Sequence, residues 1–194
     1  INTLGSMLAQ VIGEDGHITI PHFYDDVEEV PAAEREMIAQ IPFDEKKYME
    51  AIGVKALKGE KGYSTLERNS CRPSFDICGI WGGYTGEGSK TVLPSKAYAK
   101  VSCRLVPHQN HAVISQLFVD YIQSIAPEYV QVKVTPMHGG EGYVCPITLP
   151  AYQAAEKGFA KAFGKKPLAV RRGGSIPIIS DFEQILGIKT VLMG

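Results

Sequence analysis

Arg104 is the residue of this sequence best suited to hold a charged substrate. It lies in Ser102-Cys103-Arg104-Leu105-Val106-Pro107, where Lys100, Ser102 and Arg104 alternate with Ala99, Val101 and Cys103. That alternation puts the guanidinium on the polar face of a strand. A planar guanidinium binds a carboxylate through two parallel hydrogen bonds, and a peptide C-terminus is such a carboxylate. A strand arginine exposed to water and serving no ligand fits the same pattern. Two glycine-rich stretches accompany it, Gly82-Gly83-Tyr84-Thr85-Gly86-Glu87-Gly88-Ser89-Lys90-Thr91 upstream and Arg171-Arg172-Gly173-Gly174-Ser175-Ile176-Pro177 far downstream. The first leads into a strand and matches neither nucleotide-binding glycine motif. The second does not make a serine nucleophile, because Pro177 stands where the G-x-S-x-G elbow needs glycine. Two glycines before Ser175 instead turn backbone N–H groups toward an anion.

Metal chemistry finds less support. His17, His22, His108, His111 and His138 are scattered, and none stands with a carboxylate at a ligand spacing such as H-E-x-x-H. A catalytic zinc needs at least three converging protein ligands, so no metal site is expected in this segment. Cys71, Cys78, Cys103 and Cys145 show no C-x-x-C spacing and read as reduced thiols. Thr91 opens a strand, an ordinary place for threonine.

These residues need a scaffold, and the hydrophobic periodicity supplies one. Leu4, Met7, Leu8, Val11 and Ile12 predict a helix over 2–12, followed by a glycine turn and a short strand over 18–20. Residues 23–50 are acidic and irregular, with short helices expected over 32–41 and 45–52, and 53–70 read as loop. Strands over 75–80 and 97–105, a helix over 111–122 and a strand over 130–135 then form a regular block. The prediction is an α+β fold, a two-layer sandwich with helices on one face of an antiparallel sheet. Past residue 147 the pattern changes to helix (152–163), strand (168–171), helix (181–186) and strand (188–194), a partial α/β layer. The expected domains are therefore 1–147, with an irregular insertion at about 23–73, and 148–194.

A formal net charge of −1 gives no electrostatic case for nucleic acid or an anionic membrane surface, and no apolar run is long enough to span a bilayer. The opening residues carry no basic stretch before an apolar core, so with reduced thiols a cytoplasmic setting is expected.

Taken together, Gly62-Tyr63-Ser64-Thr65-Leu66-Glu67-Arg68, the stretch from Gly79 to Pro94, Ser102 to Pro107, His138-Gly139-Gly140 and Arg172 to Pro177 resemble, in this order, the dinuclear-zinc aminoacylase/carboxypeptidase/carnosine-dipeptidase metallopeptidases. The dipeptidase branch is the one they are most similar to. The resemblance implies a lid domain that forms a homodimer, inserted into a catalytic domain holding two zinc ions. It assigns Thr91 and Arg104 to the substrate's C-terminal carboxylate, Gly174 and Ser175 to a contact beside the metals, and His138 to a lid histidine near the cleft. Arg172 departs from the glutamate common before the two glycines. The resemblance places the general-base glutamate, the histidine reaching into the partner's site and most metal ligands before Ile1, with one last histidine after Gly194. The implied whole is a dipeptide-cleaving zinc enzyme, with this segment inactive alone. The competing expectation is a non-catalytic dimerisation or small-ligand-binding α+β module, told apart by an H-x-D motif and paired glutamates in the flanking sequence.

Overall fold

A computed structural model describes residues 1–172, 176 and 178–193 of the chain. Its first element, α1 (Asn2–Ala9), buries Met7 and Leu8. A tight turn follows, closed by the Gly13 N–H donating to the His17 carbonyl at 2.8 Å, and Ile12 bridges Ile18. Gly16 is required here: its φ is +82°, and a Cβ would lie 2.6 Å from the Gly59 carbonyl.

Residues 23–73 hold three short helices, α2 (Ala32–Ala39), α3 (Glu45–Ile52) and α4 (Thr65–Ser70). Asp44 caps α3 by accepting from the Lys47 N–H, and Gly53 closes it in the left-handed conformation. The helix α4 corrects the reading of 53–70 as loop. Ser64 and Glu67 form a reciprocal capping box, which supports a helix too short to persist alone.

An ion-paired clasp holds this region to the core. The Arg72 side chain, 5% exposed, donates from Nε and Nη2 to both oxygens of Glu60 at 2.8 and 2.7 Å. Its guanidinium lies over the rings of Tyr63 and Tyr24, 4.4 and 5.1 Å from their centroids. His17 stacks on Tyr24 at 3.8 Å and places Nδ1 3.0 Å from Glu60. Burial raises the Glu60 pKa, but the hydrogen bonds from Arg72 and His17 outweigh it and hold the carboxyl below its ordinary value.

Strands β1 (Ser74–Gly82) and β2 (Ala97–Arg104) pair antiparallel, with a bulge between Ile77 and Gly79. Along β2 half-buried Ala97, Ala99, Val101 and Cys103 alternate with exposed Tyr98, Lys100, Ser102 and Arg104, as the sequence pattern requires. Helix α5 (His111–Ser124) starts at Asn110, whose side chain accepts from the N–H groups of Ala112 and Val113. Met7, Leu8 and Val11 meet Ile114, Ile122, Phe23 and Phe75 in one core, with Val101, Cys103, Val132 and Val134 packed against it. Full burial of each large apolar side chain contributes about 1.5–3 kcal/mol. Helices α1 and α5 thus form a layer against the sheet, and the fold is α+β. Helices α6 (Pro150–Phe163) and α7 (Ile178–Leu186) follow.

Several expected strands do not form ladders among the described residues. Residues 130–135 keep the alternation of half-buried and exposed positions but join no sheet, residues 168–171 and 188–193 are irregular, and residues 18–20 contribute a single bridge. Period-two sequence reports a buried face, whereas a strand also needs a neighbouring backbone.

Candidate functional site

Arg104 is the last residue of β2, opposite Ser74 in the register, and its side chain is exposed. No hydrogen bond or ion pair engages its guanidinium among the described residues. It lines a cleft of about 2180 Å³ whose walls are β2, residues 129–147, α6 and residues 167–172. His138, also exposed, lines the same cleft. The structure brings these two expected site residues to one cavity. Thr91 lies elsewhere, exposed on the loop between β1 and β2 and not on the cleft wall. Gly174 and Ser175 fall outside the described residues; Arg172 and Ile176 beside them line the cleft.

The charges of the cleft are unbalanced. Each of its carboxylates has a nitrogen partner: Glu34 accepts from Arg171 at 2.7 Å, Glu141 lies 2.9 Å from the His111 ring, and Glu156 is 3.2 Å from Lys166. Lys96, Lys100, Arg104, Lys133 and Arg172 line the cleft with no such partner among the described residues. A concave wall of unpaired cations attracts an anion, and only arginine can grip a carboxylate with two parallel donors. The far end of β2 is apolar, where Trp81 and Tyr98 stack at 5.4 Å.

Glu141 is a site residue that the sequence reading passed over. It accepts from His111, from the Asn110 side chain at 3.3 Å and from Gln184 of α7 at 3.2 Å. The His111 hydrogen bond is the main cause of its lowered pKa, with burial opposing. The carboxylate thereby ties the start of α5 to α7. The only sequence trace of this joint is Gly139, where a Cβ would lie 2.8 Å from His111 Cδ2. Glycine in His138-Gly139-Gly140 is needed for that close approach.

The described residues offer no nucleophile or metal centre here. Burial pushes the Cys103 thiol up to about 11, helped by Asp76, so it stays protonated at neutral pH. No three His, Cys, Asp or Glu side chains converge among the described residues, so they do not fit a zinc ion. No described helix is long and apolar enough to cross a membrane. What the cleft can do is bind and orient an anionic ligand.

Residues 4–130 match the sequence family described as "Peptidase dimerisation domain". The chain is similar to the Beta-Ala-His dipeptidase of Rattus norvegicus, 27% identical over 193 residues, covering 98% of this chain and 39% of the relative. It is also similar to the Cys-Gly metallodipeptidase of Schizosaccharomyces pombe, 26% identical over 193 residues, covering 98% of this chain and 40% of the relative. Among solved structures, an M20 family metallo-carboxypeptidase from Sulfolobus solfataricus superposes with a TM-score of 0.86 at 27% identity, over 97% of this chain and 42% of that one. Human carnosine dipeptidase 1 superposes with a TM-score of 0.81 at 26% identity, over 96% and 40%. The chain spans about two fifths of the length of the curated relatives it matches.

Proposed function

This chain belongs to the peptidase dimerisation domain family, and from that premise we propose that it supplies the lid and part of the catalytic domain of a zinc-dependent dipeptidase. The observation that carries the reading is the cleft of unpaired cations with Arg104 in it, in a chain similar to metallodipeptidases along nearly its whole length. In this reading Arg104 holds the substrate's C-terminal carboxylate. Thr91, His138, Gly174 and Ser175 complete the substrate contacts, and the domain boundary falls near residue 147. Positioning of this kind lowers the barrier by fixing the scissile bond before reaction. The zinc ions belong to parts of the protein outside this chain, whose own described residues do not fit a metal. The segment alone is then inactive, and the setting is cytoplasmic.

The test is made on the longer protein and on this chain side by side. The longer protein is expected to cleave dipeptides and to lose that activity on chelation. The isolated chain is expected neither to cleave them nor to retain zinc through mild chelation. One or more tightly held zinc ions per isolated chain would overturn the division of labour proposed here.

The protein pairs lid to lid as a homodimer in this reading. Two surfaces suit a symmetric contact: the edge at residues 130–135, and the exposed side of α5 with Val113, 52% exposed. Sedimentation at micromolar concentration is expected to give a dimer of the longer protein. A monomer at every concentration would remove the homodimer from the proposal.

A further inference from the structure

We propose that Glu141 is a positioning residue that holds His138 at a fixed distance from Arg104. This rests on the dipeptidase reading, in which both side chains contact the substrate. His138 is exposed on the cleft wall, and no hydrogen bond or ion pair engages its side chain among the described residues. Its place is therefore set by the backbone around it. The two residues that follow are Gly139 and Gly140, and glycine leaves a backbone more torsional freedom than any other residue. A histidine that must meet a substrate at one spot needs a lock beyond them.

The backbone after His138 packs against the end of β2 and the start of α5. A Cβ at Gly139 would lie 2.8 Å from His111 Cδ2 and 3.0 Å from His111 Cβ. A Cβ at Gly142 would lie 2.8 Å from the Val106 carbonyl carbon and 2.9 Å from the Pro107 nitrogen. Val106 stands two positions after Arg104, so residues 139–142 rest on the turn that leaves β2. That turn is itself fixed to the core. The side chain of Gln109, a fully buried residue, accepts from the Val106 N–H at 3.0 Å and donates to the Phe23 carbonyl at 2.8 Å.

Glu141 lies between the two glycine contacts and carries the only side chain between His138 and Tyr143. Its Oε1 accepts from His111 Nδ1 at 2.9 Å and from Asn110 Nδ2 at 3.3 Å, while its Oε2 accepts from Gln184 Nε2 at 3.2 Å. Asn110 is at the same time the cap of α5. Tyr143 adds a second tie, since its hydroxyl accepts from the Thr190 N–H and donates to the Thr190 carbonyl, both at 2.9 Å. One carboxylate thus joins the His138 segment to α5 on one side and to α7 on the other. Its side chain is 21% exposed, so water does not readily replace three donors at once.

Steady-state kinetics of the longer protein test this, with rates taken per folded molecule from urea curves of the same preparations. Glu141→Ala is expected to lower kcat/KM for a free dipeptide about tenfold or more, since misplacing a substrate-holding group by about 1 Å costs up to about 100-fold. Glu141→Gln is expected to stay within about threefold of wild type, because its amide keeps an acceptor for His111 and Asn110 and pairs with Gln184 once that exposed side chain turns its oxygen round. A cycle with His138→Ala identifies the route. In the His138→Ala background, Glu141→Ala is expected to cost less than about twofold, because the group it positions is gone. An equal loss in both backgrounds would overturn the proposal. So would full activity of Glu141→Ala, or a Glu141→Gln as damaging as Glu141→Ala, which would make the charge and not the placement the cause. Each of these results leaves dipeptide cleavage by wild type intact and the dipeptidase reading standing. A longer protein that cleaves no dipeptide would remove that reading and this proposal together.

Discussion

Glu60→Ala is expected to destabilise the protein by about 3–5 kcal/mol, because it leaves the Arg72 guanidinium buried without its counter-charge. The Arg72 side chain is 5% exposed and spends two donors on Glu60, so water cannot readily replace the carboxylate. His17 loses the same acceptor. Urea unfolding at neutral pH measures the effect. The double variant Glu60→Ala with Arg72→Met should recover most of the loss, since it removes the stranded charge as well. Equal midpoints for wild type and Glu60→Ala would refute the clasp as a source of stability. The pH dependence has a definite sign. The folded-state pKa of Glu60 lies below its ordinary value of 4.5. Its contribution is therefore fully present above the unfolded pKa and is lost as pH falls through the folded one. The gap between wild type and Glu60→Ala should narrow as the pH falls below 4.5 and through the lowered folded-state pKa.

The second large effect concerns substrate. In the longer protein, Arg104→Ala is expected to lower kcat/KM for a dipeptide roughly tenfold to a hundredfold, the equivalent of about 1.5–3 kcal/mol for a lost charge-assisted hydrogen-bonded pair. Arg104→Lys should lose nearly as much. Lysine keeps the charge, but its ammonium cannot place two parallel donors against one carboxylate. The neighbouring Lys96, Lys100, Lys133 and Arg172 keep the cleft cationic in either variant, so geometry and not net charge is what changes. A dipeptide amidated at its C-terminus separates anchoring from folding. Wild type should cleave it poorly, and Arg104→Ala should reduce that rate little further. If free and amidated substrates fell by the same factor, Arg104 would be supporting the end of β2 and not a ligand.

The periodic parts of the fold were legible in the residues. The spacing of Leu4, Met7 and Leu8 marked α1, and the alternation through 97–104 marked β2 and put Arg104 on its polar face. The segment 130–135 was read correctly for its buried face and wrongly for its pairing, because a period cannot name a neighbour. Helix α4 was passed over although Ser64 and Glu67 announce it, since six residues carry too little periodicity to compete with the surrounding glycines and lysines. The joint at Glu141 left no trace in the sequence beyond Gly139. It links residues 30 and 43 positions apart through one carboxylate, and no local pattern encodes such a meeting. The resemblance grouped Thr91 with Arg104, whereas the structure puts only Arg104 on the cleft wall.

The core joins the two ends of a long stretch of chain. Met7 and Leu8 of α1 are buried by Ile114 and Ile122 of α5, and the Tyr121 hydroxyl donates to the Gln10 carbonyl across 111 positions. Ribosomal synthesis proceeds at about 5–20 residues per second, so roughly 6–22 s separate the emergence of α1 from that of its packing partner. Throughout that interval the apolar side of α1 lacks its partners on α5 and has only nearby residues such as Ile18, Ile20 and Phe23 to cover it. Nascent chains of this protein therefore present α1 to chaperones before its core is complete, and a pause in translation before residue 122 lengthens the exposure in proportion.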